Sequence, residues 1–274
     1  MRFSRIKLEP KGPFTCIPGA DTLFGAIANA VSWLYGEEGV KELVEAFMVE
    51  ARISSAFPYV RNSYYLPKPL TVELVEEDKR IKRAKYLDVE NFERALRLEH
   101  FEVPAEKPFE RVDVPRVSLD RVTQNSSLYF WEEIRFRKNA GLYFLYSGPE
   151  EIFRDFIKPA IRLLGDTGIG GKSTWGFGLF KPSFDSLKIE VPESSYAVTL
   201  SNALPVKRPV LWLLLRKSGW SRVGRRPKLS FIAEGSIVKD DPGRIETLNI
   251  SSSFTVYVYG KTFPVPVLLP EGLS

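Results

Sequence analysis

A glycine-rich stretch in the middle of the chain, residues 165–180, contains the residue types that most often hold a phosphate group. It reads GDTGIGGKSTWGFGLF. A Walker A loop has the pattern GxxxxGK[ST], in which backbone N–H groups surround the phosphates and the lysine reaches the terminal ones. Counting back from Gly171 and Lys172 places the first required glycine at Asp166, a carboxylate that would repel phosphate. The spacing therefore argues against a nucleotide-hydrolysing loop.

The segments on either side of this stretch also differ from those of a P-loop. The preceding PEEIFRDFIKPAIRLL has apolar residues at helical spacing, and the following WGFGLFKP alternates as a strand does. The order is helix, loop, strand, whereas a P-loop follows a strand and opens a helix. A tight turn between helix and strand is the remaining structural explanation, but such a turn rarely needs this many glycines.

Composition limits the chemistry that the chain supports. The 274 residues include one cysteine, Cys16, and one histidine, His100. A structural zinc site needs about four Cys, His or carboxylate ligands, so we expect no metal, and nothing points to a cofactor. A single cysteine cannot form a disulfide within the chain, which fits a reducing compartment. MRFSRIKLEP has no apolar signal core, and VLWLLL is too short to span a membrane. We expect a cytoplasmic protein with no membrane partner.

The positive charge of the chain is concentrated in its last third. The net charge is +5, and residues 194–233 contain no acidic residue. The basic residues of this stretch are Lys207, Arg208, Arg216, Lys217, Arg222, Arg225, Arg226 and Lys228. Clustered Lys and Arg release counterions from a phosphate backbone, so the stretch predicts a polyanion-binding surface that includes Arg222 and Arg225. A solvated loop is the alternative.

The order of predicted elements indicates an α+β protein with two domains. Residues 1–182, without an insertion at about 71–125, follow the order β-α-β-β-α-β, which is that of a ferredoxin-like domain. The Pro-rich residues 101–120 suggest a long loop within the insertion. KPSFDSLKI is then expected to act as a hinge that leads into the second domain, residues 183–274. The sequence of this domain predicts mainly strands. We therefore predict two ferredoxin-like (RRM-like) domains in tandem, the second degenerate and strand-rich.

A ferredoxin-like sheet can bind single-stranded RNA on its open face, as RRM domains do, although the RNP aromatic signature is absent here. The glycine-rich stretch follows the second helix and should lie beside that sheet. Its N–H groups can hold an RNA backbone without reading base edges. The residues predicted to do so are Gly168, Gly170, Gly171, Lys172, Ser173 and Thr174.

Motifs spread over almost the whole chain resemble one known family. They are DTLFGAIANAVSWLYG, SSAFPYVRNSYYLPKP, RVSLDRVT, GDTGIGGKSTWGFGLF, YAVTLSNALP, RKSGW, AEGSIV and VYVYGKTFPVPV. Together they resemble the RAMP superfamily of CRISPR-associated proteins, and most closely the fourth Csm subunit of type III-A effector complexes. Residues 71–110 show no recognisable motif, so the resemblance implies nothing about them.

The resemblance implies a non-catalytic, RNA-binding subunit in antiviral defence. Such a subunit grips the 5′ repeat-derived tag of the crRNA and bridges the large polymerase-type subunit to the backbone RAMP subunit. Its insertion resembles a thumb-like hairpin that crosses the guide–target duplex, which brings Arg116, Arg121 and Thr123 into the predicted RNA-binding set. The middle segment RVSLDRVTQNSSLYF should be an exposed, mobile part of this hairpin.

Two other functions stay open at this point. A metal-independent CRISPR repeat endoribonuclease of the same superfamily would share the fold, but it needs a general base and acid, and His100 is the only histidine. A nucleotide-dependent enzyme is disfavoured by Asp166 and by the helix–loop–strand order.

Overall fold

The computed structural model of the chain describes residues 1–102, 108–122, 124–221, 224–251 and 254–272. The strands of the first half are β1 (Arg2–Pro10), β2 (Arg52–Ile53), β3 (Phe57–Val60), β4 (Ser63–Pro67), β5 (Tyr86–Asp88), β6 (Phe109–Leu119), β7 (Ser126–Phe136), β8 (Ala140–Ser147) and β9 (Phe180–Lys188). Its helices are α1 (Ala20–Val49), α2 (Val72–Val75), α3 (Lys79–Arg83), α4 (Val89–Leu96), α5 (Glu150–Ile152) and α6 (Lys158–Thr167). A π-helical turn, Phe153–Ile157, joins α5 to α6.

Most strands of the first half form one antiparallel sheet in the order β5-β4-β3-β8-β1-β9, and the short β2 also pairs with β8. The strands β9-β1-β8-β3, with α1 after β1 and α6 before β9, have the order and connections of a ferredoxin-like domain. Strands β4 to β7 and helices α2 to α4 are inserted between β3 and β8. The predicted ferredoxin-like first half with an insertion is therefore confirmed.

The two helices cover one face of this sheet because apolar residues recur on one side of each element. Ile6 and Leu8 of β1 and Phe144 of β8 are fully buried against Phe24 of α1 and Ile161 of α6. At roughly 2 kcal/mol for each large apolar side chain taken out of water, this layer supplies a large part of the stabilisation of the first half.

The opposite face of the sheet, which an RRM would offer to RNA, is covered in this protein. Phe3 of β1 and Leu145 of β8 pack against Val198, Ile237 and Val265 of the second half. Because both faces of β8 are covered, all but the last of its residues are buried. The open-face binding mode that the sequence suggested is therefore closed along this part of the sheet.

The second half consists of small antiparallel sheets. Its strands are β10 (Tyr196–Thr199), β11 (Leu214–Lys217), β12 (Trp220–Ser221), β13 (Gly224–Arg225), β14 (Leu229–Ile232), β15 (Ile237–Lys239), β16 (Gly243–Ser251), β17 (Phe254–Lys261) and β18 (Pro264–Pro266). They pair as β15-β10-β18, β11-β14, β12-β13 and β16-β17. No helix occurs in the described residues after Trp175, which agrees with a strand-rich, degenerate second half.

The two halves are joined by a strand rather than by a hinge. KPSFDSLKI lies almost wholly in β9, which pairs with β1 from Arg2↔Lys188 to Pro10↔Phe180. The predicted domain boundary at 182/183 thus falls inside this strand. The second half also reaches the first core, because the ring of Tyr259 in β17 stacks on Phe24 with centroids 5.2 Å apart.

The Pro-rich segment predicted as a loop contains a strand instead. Residues of β6 and β7 pair from Phe109↔Phe136 to Leu119↔Ser126 and form a long hairpin, which we call the inserted hairpin. Its base is held to the body where the N–H and C=O groups of Phe14 and Ile134 exchange hydrogen bonds of 3.0 and 2.8 Å. Pro115 is compatible with this because a two-stranded ribbon has free edges.

Candidate RNA interface

The segment that joins α6 to β9, residues 168–179, is called the glycine loop below. Its neck is fixed by backbone hydrogen bonds: Ile169 N–H donates to Gly178 O at 3.0 Å, and Gly178 N–H donates to Pro13 O at 2.9 Å. The Ile169 and Phe177 side chains are buried and anchor both ends of the loop. The order is helix, loop, strand, as predicted, so the P-loop context is absent.

The outer part of the glycine loop presents a row of free backbone donors. In the described part of the chain, the N–H groups of residues 170–174 have no hydrogen-bond acceptor. Further along, Trp175 N–H donates to Lys172 O and Gly176 N–H to Ser173 O, both at 2.9 Å, which closes the short 3-10 turn Ser173–Trp175. Consecutive free N–H groups in such a turn form an anion-binding concavity.

The glycines of the loop differ in whether the backbone conformation requires them. Gly168, Gly170, Gly176 and Gly178 have positive φ, where a side chain is strained. Gly171 has neither a positive φ nor a close neighbour, because a Cβ there would meet only Thr15 Oγ1 at 3.9 Å. The turn itself therefore does not require Gly171. Its missing side chain keeps the backbone N–H groups open, which favours a bound ligand over a purely structural turn.

Aromatic rings flank the loop lysine. Lys172 Nζ lies 4.2 Å from the ring centroid of Trp175 and 5.2 Å from that of Trp131 in β7. The centroids of the two indole rings are 6.3 Å apart, and the side chain of Trp175 is half exposed. Cation–π contacts of this kind hold a lysine near a ring without neutralising its charge. The contact joins the glycine loop to the inserted hairpin.

A groove of about 630 Å³ lies between the hairpin and the body of the protein. It is lined by the end of β1 and residues 10–13, by Arg116 and the base of the inserted hairpin, and by Trp175 and Phe177 of the glycine loop. Its basic side chains are Lys11, Arg116, Arg135, Arg137 and Lys138, and its acidic ones are Glu9 and Glu133. The excess of positive charge suits a polyanion.

The buried acid of the groove is paired. Glu133 is 3% exposed, and its Oε1 accepts from Arg135 Nε at 2.7 Å.

Two other groups of the groove are an exposed ion pair and a buried phenol. Lys11 forms an exposed ion pair of 3.0 Å with Asp166, the residue that departs from the Walker A pattern. Burial raises the pKa of Tyr59 in the groove wall to about 12, with further contributions from Glu9 and Tyr64. Tyr59 is therefore a neutral phenol near pH 7.

The structure brings Arg116 and the glycine loop to the same groove, but it separates Arg121 from them. Arg121 is exposed in the turn at the tip of the inserted hairpin, beyond the last register pair. Its turn is closed by Gln124 N–H donating to Asp120 O at 2.9 Å. Thr123 lies outside the described residues. Arg116 and Arg121 therefore do not belong to one cluster, and whether either contacts RNA stays a prediction.

The basic stretch of the second half divides into structural and exposed members. Lys217 pairs with Asp21 in the first turn of α1, and the side chain of Arg226 packs over Gly219 with its Nε buried. Lys207, Arg208, Arg216 and Lys228 are exposed. Arg222 lies outside the described residues, and only the backbone of Arg225, in β13, is described. Whether these two contact RNA stays a prediction.

Sequence reasoning missed several residues of the groove. Trp175, Lys11 and the basic residues Arg135, Arg137 and Lys138, which line the groove, were not among the predicted site residues. Trp131, which contacts Lys172 beside the groove residue Trp175, was not among them either. The string RFRKN directly before a strand was a usable signal. Trp131 was not recoverable in this way, because its place beside Lys172 depends on the hairpin register. His100, the residue on which the endoribonuclease alternative depended, does not line the groove: it is exposed, with Nδ1 3.9 Å from Glu76 Oε1.

Within the described residues, no helix is long and apolar enough to cross a membrane. In the same residues, no cluster of three or more His, Cys, Asp or Glu side chains is placed to hold a metal ion.

Comparison with known proteins gives consistent matches. The family model described as "RAMPs: RAMP superfamily" matches residues 8–181. The chain is 62% identical to the CRISPR system Cms protein Csm4 of Thermococcus onnurineus, covering 100% of this chain and 99% of that protein. It is 23% identical to the protein of the same name from Methanocaldococcus jannaschii, covering 81% of this chain and 79% of that protein.

Two solved structures extend the match to three dimensions. A chain in a crystal structure of a Csm1-Csm4 cassette in complex with cA4 has a TM-score of 0.85 and 56% identity, covering 99% of this chain and 100% of that chain. A chain in a Csm3-Csm4 subcomplex of a type III-A CRISPR-Cas interference complex has a TM-score of 0.72 and 20% identity, covering 97% and 99%. Both similarities extend over both halves, which confirms the tandem arrangement.

Proposed function

Because the chain belongs to the RAMP superfamily, and within it to the Csm4 proteins of CRISPR systems, we propose that it is a non-catalytic, crRNA-binding subunit of a type III-A effector complex. It grips the 5′ repeat-derived tag of the crRNA through the glycine loop and the groove beside it. It also bridges the large polymerase-type subunit and the backbone RAMP subunit, in the cytoplasm.

One observation carries the RNA-binding part of this proposal. The free N–H groups of residues 170–174 belong to the same loop as Trp175 and Phe177, which line a groove in which basic residues outnumber acidic ones. Backbone N–H groups and lysine or arginine side chains recognise phosphate and sugar, which positions a strand without reading its sequence. Gly171, which the fold does not require, makes room for that backbone. This arrangement suits a guide whose tag is held by its backbone.

The scaffold part of the proposal draws on the relatives. The Csm1-Csm4 cassette, in which a 56% identical chain is assembled with Csm1, supports the large subunit as a partner. The backbone partner rests on the sequence resemblance, because the Csm3-Csm4 chain is too distant to argue more than the fold.

The groove does not favour the endoribonuclease alternative. Metal-independent cleavage at a 2′-hydroxyl needs a general base with a pKa near neutrality. In the described part of the groove, the candidate phenol is that of Tyr59, whose pKa of about 12 keeps it protonated. Incubating the protein with repeat RNA in EDTA tests this directly, and we expect intact RNA.

The RNA-binding role is tested by changing Gly171→Val in the complex co-expressed with its crRNA. The side chain obstructs the N–H groups while the loop keeps its conformation, so we expect weaker crRNA retention and lost ribonuclease protection of the tag. Gly25→Val is the control, because Gly25 also has open space around it, in α1. The proposal fails if a folded Gly171→Val protein retains and protects the crRNA as well as the control does.

A further inference from the structure

Two buried hydrogen-bond donors of the inserted hairpin have no acceptor. In the described part of the chain, Arg116 Nε and Trp131 Nε1 are both shielded from solvent and unpartnered. A buried donor left without a partner costs about 1–3 kcal/mol, so such groups are rare in folded proteins unless a ligand or water completes them. Two of them on one hairpin point to a missing acceptor.

The register of the inserted hairpin places both donors on the same face. Arg116 pairs with Tyr129, and Val114 pairs with Trp131, so Arg116 and Trp131 are diagonal neighbours on one side of the ribbon. This side also carries Glu133, which lines the groove and whose Oε1 accepts from Arg135. Neither orphan donor uses this carboxylate as an acceptor.

Several neighbouring groups are also donors or flat rings. Lys172, which carries a positive charge, lies against both indoles, and the free N–H groups of the glycine loop lie on either side of it in the chain. The Trp175 ring is half exposed at the mouth of the groove. A ligand that fits must bring several acceptor oxygens and an aromatic plane together, which is the composition of a nucleotide.

On the basis of the proposed function, we infer that the place where the inserted hairpin meets the glycine loop is a subsite for one unpaired nucleotide of the guide. A phosphate oxygen accepts from Arg116 Nε and Trp131 Nε1, Lys172 supplies counter-charge, and the base stacks on Trp175. The volume of about 630 Å³ accommodates one nucleotide. Stacking is tolerant of base identity, so the subsite positions the strand rather than reading it.

The test uses assembled complexes whose crRNA carries 2-aminopurine at one tag position at a time. Stacking on an indole quenches this base, so we expect one strongly quenched position in the wild type. Trp175→Ala should restore its fluorescence several-fold, whereas Trp212→Ala should not, because Trp212 is an exposed tryptophan outside the groove. If no position responds to Trp175→Ala, the stacking subsite is wrong.

The donor part is tested with Arg116→Lys, which keeps the charge but loses the Nε donor and the planar fork. We expect ribonuclease cleavage to increase on the order of 10-fold at the quenched nucleotide. Arg83→Lys, the same change at an exposed arginine in α3, should have no effect. Equal protection in both variants would overturn the phosphate contact. Total crRNA retention, measured in the same complexes, reports separately on the proposed function: the subsite can fail while retention stays intact.

Discussion

A buried lysine at the end of α1 makes the stability of the protein depend on pH in a defined window. Lys261 in β17 is 4% exposed, and its Nζ donates to Met48 O at 2.7 Å and to Val49 O at 3.1 Å. These carbonyls belong to the last turn of α1, where helical acceptors lack intrahelical donors. Burial, together with a smaller contribution from the nearby charge of Arg52, lowers the pKa of Lys261 to about 8.

The direction in which the free energy of unfolding changes with pH follows from comparing the folded and unfolded states. The unfolded chain holds this proton up to a pH of about 10.5, whereas the folded protein releases it near pH 8. Between these values the unfolded chain binds more protons, so the free energy of unfolding rises with pH. A pKa difference of this size corresponds to about 3 kcal/mol across the whole window. Above pH 10 the effect reverses, because burial raises the pKa of Tyr146 and Tyr259 and their folded environment resists ionisation.

The assay is guanidinium unfolding at pH 7, 8, 9 and 10, followed by circular dichroism. Wild-type protein should gain stability through this range, and Lys261→Met should be less stable at pH 10 but show a much smaller pH dependence. Lys181→Met, the same change at an exposed lysine, is the control and should keep the wild-type slope. If wild type and Lys261→Met differ by the same amount at pH 7 and pH 10, the reasoning about the buried ammonium is wrong.

Three further outcomes are expected. Gly178→Ala should destabilise the protein by about 2 kcal/mol or more in thermal melts, because its Cβ would clash with Ile169 O, whereas Gly176→Ala, with open space and the same backbone strain, should cost about 1 kcal/mol. Changing Arg216 and Lys228 to Ala should reduce the salt dependence of RNA binding by about 0.7 in slope for each lost phosphate contact, and an unchanged slope would mark them as a solvated or protein-facing surface. Replacing 120–124 with a short turn should leave the melting temperature within a few degrees of wild type while exposing guide nucleotides to ribonuclease; unfolding would show that the tip is part of the core.

The sequence predicted the parts of the fold that depend on local pattern. Apolar residues at helical spacing located α6, and the order of predicted elements indicated the ferredoxin-like arrangement of the first half. Local pattern did not predict that the second half of the chain packs on the other face of the sheet. Leu145 meets Val198 and Ile237 only through the tertiary arrangement of two halves, and no local spacing encodes that contact.

The candidate site also combines a part that depends on local sequence with a part that depends on tertiary contacts. The glycine loop was predicted as a phosphate-binding site because the residue types that such a site needs lie in one continuous stretch. The groove was missed because it assembles from β1, the inserted hairpin and the loop, whose lining residues are spread from Glu9 to Phe177 of the chain. The Pro-rich segment hid β6, since Pro115 reads as a strand breaker until the free edge of a two-stranded ribbon is known.

The position of β1 in the sheet sets the order in which the protein can fold during its synthesis. β1 is made first, but both of its partners, β8 and β9, lie at the other end of the first half. At about 5–20 residues per second, β1 waits on the order of ten seconds for these strands to leave the ribosome. During that time Ile6 and Leu8 have no sheet to enter. The glycine loop is completed last, since its neck needs Gly178 beside β9 and Pro13 held by β1. A nascent chain therefore forms the proposed phosphate-binding surface only when the first half closes, so we expect incomplete chains not to bind guide RNA.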